Sequence, residues 1–209
     1  VSARIAVHGA TGRLGRLVMA ELAESAAPGL PVPREGALPD CDVVIDLSSP
    51  AGTAALLPRL RGEALLVGTT GALPEAELAD YAARAPVAIV ANFSIGVPLL
   101  LDLITAAVGR LPEGWQIEVV EAHHAAKKDA PSGTALRILR AIGERPDGAP
   151  VPTHALRVGD TVGEHTVWLA GPGERIELKH VATRREVFAI GALRHARWLL
   201  QQPPGLYRP

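Results

Sequence analysis

Seven residues near the start of the chain, Gly9-Ala10-Thr11-Gly12-Arg13-Leu14-Gly15, put a glycine at every third position. Before them runs Arg4-Ile5-Ala6-Val7, which is β-rich; from Gly12 to about Ala26, Leu14, Val18 and Leu22 recur at helical spacing. A strand, a glycine turn and a helix in that order can cradle a phosphate. The glycines permit a tight turn and a close approach of backbone to a pyrophosphate. The helix N-terminus adds unpaired N–H groups and partial positive charge. The spacing G-x-x-G-x-x-G is a variant of the usual dinucleotide fingerprint, so its context carries more weight than its spacing. A turn that only lets the helix pack on a sheet is the plainer alternative.

The pattern continues as alternating strands and helices. Pro28, Pro31, Pro33 and Pro39 exclude a long regular element between them. Asp42–Leu47 is an apolar run with polar ends, as expected of a buried parallel strand. A helix near Gly52–Leu60, a strand at Ala64–Val67, a Gly68–Gly71 turn, a helix near Pro74–Arg84 and a strand at Val87–Ala91 follow. This order predicts a doubly wound α/β sheet. Beyond Asn92 the pattern changes: a helix from about Val97 to Arg110, a strand at Gln116–Val120, and a helix that starts near Ser132 and ends before Pro146. Three extended segments, Thr153–Val158, His165–Ala170 and Arg175–Val181, read as a meander, and a last helix covers about Glu186–Leu200. The expectation is a shortened, Rossmann-like doubly wound parallel sheet from residues 1–94 and 188–209. Residues 95–187 would form a second α+β domain on a mixed, mostly antiparallel sheet.

In an open α/β sheet, ligands sit beyond the carboxyl ends of the strands. Asp46-Leu47-Ser48, Gly68-Thr69-Thr70-Gly71 and Asn92-Phe93-Ser94 fall there. Thr69 and Thr70 are placed to hydrogen-bond a nicotinamide or ribose, although each such stretch is also a common turn former. The acidic residue that reads ribose hydroxyls about 20 positions beyond the glycines has no clear strand to carry it. Arg34 and Glu35 are the only charged candidates, and the second βα unit is either lost or reduced to one irregular strand. NADH and NADPH both stay open as cofactors.

The net charge of -1 gives no bulk attraction to nucleic acid or anionic membrane. No apolar run approaches the roughly 20 residues of a membrane span, and the N-terminus runs straight into a strand without signal-peptide architecture. The single cysteine, Cys41, excludes an internal disulfide framework and fits a reducing compartment. A cytoplasmic protein is expected, with neither nucleic acid nor membrane as partner.

The chemistry concentrates in Glu121-Ala122-His123-His124-Ala125-Ala126-Lys127-Lys128-Asp129-Ala130-Pro131-Ser132-Gly133-Thr134-Ala135. Histidine titrates near neutrality and suits general acid work. A lysine near other cations can also serve as a proton donor, which arginine cannot. Only three of the chain's 21 basic residues are lysine, so Lys127 and Lys128 stand out. Ser132-Gly133-Thr134 opens a helix, whose free N–H groups bind carboxylates as they do phosphates. An anionic substrate is the inference. The plainer alternatives are Ser132 as an N-cap alone and the lysines as a solvated pair. A metal is not expected, because adjacent histidines in extended chain point apart and no third ligand has metal spacing. His8, His154, His165, His180 and His195 stand alone in sequence and read as structural or surface groups.

At these residues the chain resembles the dihydrodipicolinate reductase family, whose pattern H-H-x-x-K-x-D-A-P-S-G-T-A is matched from His123 to Ala135. The resemblance extends to Gly9–Gly15, Asp46–Pro50, Gly68–Gly71, Ala91–Val97, Val162–Thr166 and Gly205-Leu206-Tyr207. It implies reduction of a small cyclic dicarboxylate with NADH or NADPH, a dinucleotide domain, a substrate domain, and a homotetramer assembled through the second sheet. It makes His123 the acid/base group and Lys127 the second proton donor. His124, Ser132, Gly133 and Thr134 would bind substrate. Gly9, Ala10, Thr11, Gly12, Arg13, Leu14, Gly68, Thr69, Thr70, Val90, Ala91, Asn92 and Phe93 would contact the cofactor. Two segments are shorter than the family's, the second βα unit and the stretch between about Glu144 and Thr153. Two rival readings remain: a nicotinamide-binding sensor without catalysis, and a dehydrogenase acting on another small acid or aldehyde.

Overall fold

The computed structural model describes residues 3–25, 28–144 and 148–209. They divide into two compact units, one reaching to Phe93 and resuming at Glu186–Pro209, the other Ser94–Arg185.

The first unit holds six parallel strands: β1 (Ile5–His8), β2 (Leu30–Pro31), β3 (Val43–Asp46), β4 (Ala64–Val67), β5 (Pro86–Ile89) and β10 (Gly205–Tyr207). Their order is β10-β5-β4-β3-β1-β2. The chain leaves β1 for β2 on one side and returns to β3 on the other, so the topological switch lies between β1 and β3. β3 and β4 are buried on every residue and β1 on all but its last, which explains their largely apolar sequence. One face packs Ile5, Val7, Val43, Ile45 and Leu66 against α1 (Arg13–Glu24) and α6 (Glu186–Leu199). The other packs Ala6, Val44, Leu65 and Val87 against Leu56 of α2 (Pro50–Leu56) and Leu78 of α3 (Glu75–Ala82). Helices on both faces make the sheet doubly wound.

The proline-rich stretch resolves into the second of the two alternatives left open by its sequence. Two residues pair with β1 as β2, and no helix stands between β2 and β3. Val32, Leu38 and Cys41 cover the sheet face there instead. The expected end of the first helix at Ala26 and the boundary at Pro146 lie outside the described residues. The helix expected at Gly52–Leu60 starts earlier, because Ser49 caps it through Gly52 N and Pro50 suits its first turn. It gives way at Leu57 to a 3-10 turn containing Pro58, which has no N–H to continue the ladder. The edge strand β10 was not foreseen as a strand, since three residues carry no readable period.

The second unit contains α4 (Gly96–Val108), β6 (Gln116–His123), α5 (Gly133–Ile142), β7 (Thr153–Arg157), β8 (Gly163–Gly171) and β9 (Glu174–Ala182). The sheet order is β7-β6-β8-β9. The meander expectation is corrected here: only β8 and β9 form a hairpin, while β7 lies parallel to β6 on its far side. Parallel pairing needs a long crossover, and the segment containing α5 supplies it. Ile117, Val119, Val167, Leu169 and Leu178 form an apolar half-face under α4 and α5. At period 2 the same face continues to Glu121, His123, His165 and His180. One sheet face therefore changes from core to chemistry along the strands.

Candidate active site

In the first unit, the residues expected to meet a dinucleotide stand at the carboxyl ends of β1, β4 and β5. Gly9 follows β1 with φ +80, and a Cβ there would lie 2.7 Å from the Leu47 carbonyl oxygen. Gly12 donates from its N–H to Gly9 O at 2.9 Å and caps α1 without any side-chain hydrogen bond. A Cβ on Gly15 would lie 2.1 Å from Gly9 O, so only glycine lets the helix seat this close to the turn. The result is a helix N-terminus that no capping side chain covers, as pyrophosphate binding requires. Thr11, Gly12 and Arg13 are exposed and Ala10 and Leu14 half-buried.

Asp46 ties these strand ends together. It is fully buried, meets His8 Nδ1 at 2.9 Å, and accepts from Ser48 Oγ at 2.6 Å and Thr53 Oγ1 at 2.5 Å. Burial pushes its carboxyl up, but the hydrogen bonds of His8, Ser48 and Thr53 outweigh that and hold it below the usual carboxylate range. Thr69 is buried and its hydroxyl accepts from Ser48 N at 3.1 Å, so that group braces the loop, while Thr70 is exposed. In the stretch Val90–Phe93, Val90 and Phe93 belong to the core, whereas Ala91 is exposed and Asn92 half-buried.

In the second unit, β6 runs on through His123, so Glu121 and His123 share the sheet's inner face. Glu121 is fully buried. Its Oε1 accepts from Arg157 Nη2 at 2.8 Å and from Ser132 N at 3.1 Å, and its Oε2 abuts His123 Nδ1. Across the sheet, Glu121 stands opposite His165, and His165 opposite His180. The His123 and His165 rings meet edge to face at 5.2 Å, and His165 Nε2 lies 3.3 Å from Ser132 Oγ. Lys127 Nζ pairs with Asp129 at 2.7 Å, which holds the Asp129 carboxyl low. Ser132 caps α5 by accepting from Ala135 N at 3.2 Å. Both its N–H and its hydroxyl thus have partners within the protein. Gly133 is exposed and Thr134 buried in the first turn; His124 is half-buried and its carbonyl accepts from Lys127 N. Lys128 is exposed.

Burial lowers the His123 imidazole below its ordinary value, with Lys127 and Arg157 acting in the same direction and Glu121 opposing them. Burial lifts the Glu121 carboxyl, but Arg157, the Ser132 N–H and His123 together bring it below its ordinary value. His165 is pushed down to about 4 by burial first and by His123. A histidine neutral in the fold but free to protonate when unfolded makes stability depend on pH. The folded pKa is the lower one, so the contribution is complete above about 6.5 and lost as pH falls toward about 4. Thermal unfolding should show this decline between those values. His165→Gln, which keeps a partner for Ser132, should flatten it; an unchanged slope would remove His165 as its source.

Sequence reasoning did not find His165, His180 or Arg157, and read the two histidines as isolated. His165 is 44 residues from Glu121, and only strand register joins them. The third ligand that sequence spacing lacked also arrives this way: the donor atoms of Glu121, His123 and His165 lie within 4.8 Å of one another. Glu121 Oε2 and His123 Nδ1 already face each other, and the Arg157 guanidinium stands beside the same carboxylate. A metal ion would have to break that contact beside a fixed positive charge.

Two family models match the chain: Dihydrodipicolinate reductase, N-terminus, over residues 29–93, and Dihydrodipicolinate reductase, C-terminus, over residues 96–208. A 4-hydroxy-tetrahydrodipicolinate reductase of Xanthomonas campestris pv. campestris is 41% identical, with 98% of this chain and 95% of the relative covered. One from Stenotrophomonas maltophilia is 42% identical at the same coverage. Among solved structures, the dipicolinate-bound dihydrodipicolinate reductase of Paenisporosarcina sp. TG-14 has the same fold. Its TM-score is 0.76 at 19% identity, covering 100% of this chain and 98% of that one.

Proposed function

The chain belongs to the dihydrodipicolinate reductase family, and from that premise we propose that it reduces 4-hydroxy-tetrahydrodipicolinate to tetrahydrodipicolinate with NADH or NADPH, on the diaminopimelate route to lysine. The observation that carries the proposal is local. One carboxylate, that of Glu121, joins His123, the candidate proton carrier, to the N-terminus of α5, the candidate carboxylate site: Oε2 abuts His123 Nδ1 and Oε1 accepts a hydrogen bond from Ser132 N.

In the proposed reaction the substrate loses its hydroxyl as water, and the ring then gains a hydride and a proton. A reduced nicotinamide supplies the hydride when bound. The bare N-terminus of α1 suits its pyrophosphate, and the strand-end residues Gly68 to Thr70 and Val90 to Phe93 are the proposed contacts for the rest of the cofactor. The first turn of α5, at Gly133 and Thr134, together with His124, would hold a substrate carboxylate. Ser132 contributes by shaping that turn. Fixing the ring in this way accounts for much of the rate gain. The balancing proton comes from His123 or Lys127. In neutral His123 the proton faces Glu121 at Nδ1, so Nε2 donates only when the ring is charged. A bound dianion favours that charged form.

Arg34 and Glu35 follow β2 after Val32 and Pro33, in the region where a ribose reader stands in such sheets. Arg59 from the 3-10 turn holds this loop through the Pro33 carbonyl at 2.9 Å. The loop offers both signs of charge, so the proposal takes either cofactor. The proposed assembly is a homotetramer through the outer face of the second sheet, where Leu156, Trp168 and Val181 are exposed. No helix among the described residues is long and apolar enough to cross a membrane; the proposed location is the cytoplasm.

The test is a coupled assay in which dihydrodipicolinate synthase generates the unstable substrate from pyruvate and aspartate semialdehyde. Substrate-dependent loss of nicotinamide absorbance is expected, and separate runs with NADH and NADPH give the preference. The same preparation should have the solution mass of four chains. Folded protein that binds a cofactor and oxidises neither would refute the reductase reading.

A further inference from the structure

We propose that Glu121 is a positioning residue for the reaction, setting the tautomer of His123 and tying that imidazole to the substrate-binding end of α5. The proposal rests on the reading of His123 as proton carrier. Nothing in the motif's chemistry required a carboxylate two residues ahead of the histidine, yet β6 brings it to the same face, fully buried.

A buried carboxylate without partners is unfavourable, and this one has three. Arg157 Nη2 and Ser132 N both donate to Oε1, at 2.8 and 3.1 Å. They leave Oε2 for His123 Nδ1. The Arg157 guanidinium also reaches the Asp129 carbonyl at 2.5 Å, in the loop that carries Lys127, so the carboxylate cannot turn without disturbing that loop. An ionised carboxylate only accepts hydrogen bonds. It therefore requires a proton on Nδ1 in both charge states of His123, which leaves Nε2 as the atom whose protonation changes. Nε2 lies 3.3 Å from where a Cβ on Gly163 would stand, so glycine opposite His123 leaves space at that atom. The charged or titratable groups around the ring are Glu121 on its own strand, Lys127 in the following loop, Arg157 on β7 and His165 on β8. Of these only Glu121 contacts the ring through a carboxylate. The same acid binds the α5 N-terminus through Ser132, so a shift of one end moves the other.

The discriminating experiment compares Glu121→Gln in the wild-type and His123→Gln backgrounds. The amide keeps an oxygen for Arg157 and Ser132 but presents NH2 to Nδ1, which reverses the tautomer. We expect kcat to fall by about 10²-fold, from the loss of a correctly oriented proton carrier, with KM changed less than about threefold. In His123→Gln the same replacement should cost less than about twofold, because a residue acting through His123 has nothing left to orient. Equal losses in both backgrounds would overturn the proposal while leaving the role of His123 intact. Near wild-type turnover in His123→Gln alone would bring down the underlying reading, and this one with it. Should Glu121→Gln not fold, NMR of ring-labelled wild-type protein decides: neutral His123 must be the Nδ1–H tautomer, and an Nε2–H signal would refute the assignment.

Discussion

Replacing His123 with glutamine is expected to lower kcat by about 10²-fold or more, and Lys127→Ala to do the same, while both proteins remain folded. A factor of 10² corresponds to about 2.7 kcal/mol of barrier, ordinary for removal of a placed proton donor. Glutamine fills much of the imidazole's volume and still hydrogen-bonds, so the loss would report on proton transfer rather than on packing. The two variants should differ in KM. Lys127 brings a positive charge, paired with Asp129, to the loop between β6 and α5. Its removal should weaken binding of a dianion as well as turnover. His123 is placed as a proton carrier rather than as a ligand of a carboxylate, so its replacement should act mainly on kcat. The pH profile separates them further. Burial places the free imidazole below its ordinary value, so a His123 donor makes kcat/KM fall as pH rises through that ionisation, and His123→Gln removes the step. Steady-state kinetics across pH provide the check; near wild-type turnover in both variants would end the assignment of either as proton donor.

The order of strands and helices in the first unit was legible because β3 and β4 are buried on every residue and so read as apolar runs, whereas β2 and β10, short and partly exposed, carry no such signal. Ile45 of β3 and Leu66 of β4 have no exposed surface. The second sheet was legible as extended segments but not as a topology. Periodicity in β7 or β8 says which residues share a face, not which strand lies alongside. That is how a β7 paired parallel to β6 passed for the first arm of a meander. The site divides in the same way. His123, Lys127 and the start of α5 lie within twelve residues and could be read as one stretch. Glu121 was part of that stretch, but its alignment with His123 depended on β6 extending three residues beyond the segment expected from sequence. His165 and Arg157 join only through register with other strands. No local signal contains that information.

The glycine turn shows a third kind of legibility, since Gly9, Gly12 and Gly15 announce themselves by spacing whereas Gly191 does not. Gly191 sits in the middle of α6, where propensity alone favours alanine by about 1 kcal/mol. Yet a Cβ there would lie 1.7 Å from the Phe93 carbonyl oxygen, a backbone atom that cannot step aside alone. The Phe93 ring is held as well: a Cβ on Gly68 would fall 2.4 Å from it, and His195 of α6 packs against it at 5.9 Å between centroids. Two absent methyl groups therefore seat the Val90–Phe93 segment against the strand ends. Gly191→Ala should lose more through this overlap than it gains in helix propensity, for a net destabilisation of about 1–3 kcal/mol. In a chain of this length that lowers Tm by roughly 2–12 °C. Because the displaced segment holds proposed cofactor contacts, Kd for the nicotinamide nucleotide should rise by about tenfold, or about 1.4 kcal/mol. Calorimetric melting and cofactor titration measure the two effects separately. A higher Tm would mean that α6 can shift to accept the methyl group, and an unchanged Kd in a destabilised protein would mean that Phe93 anchors the core without shaping the cofactor site.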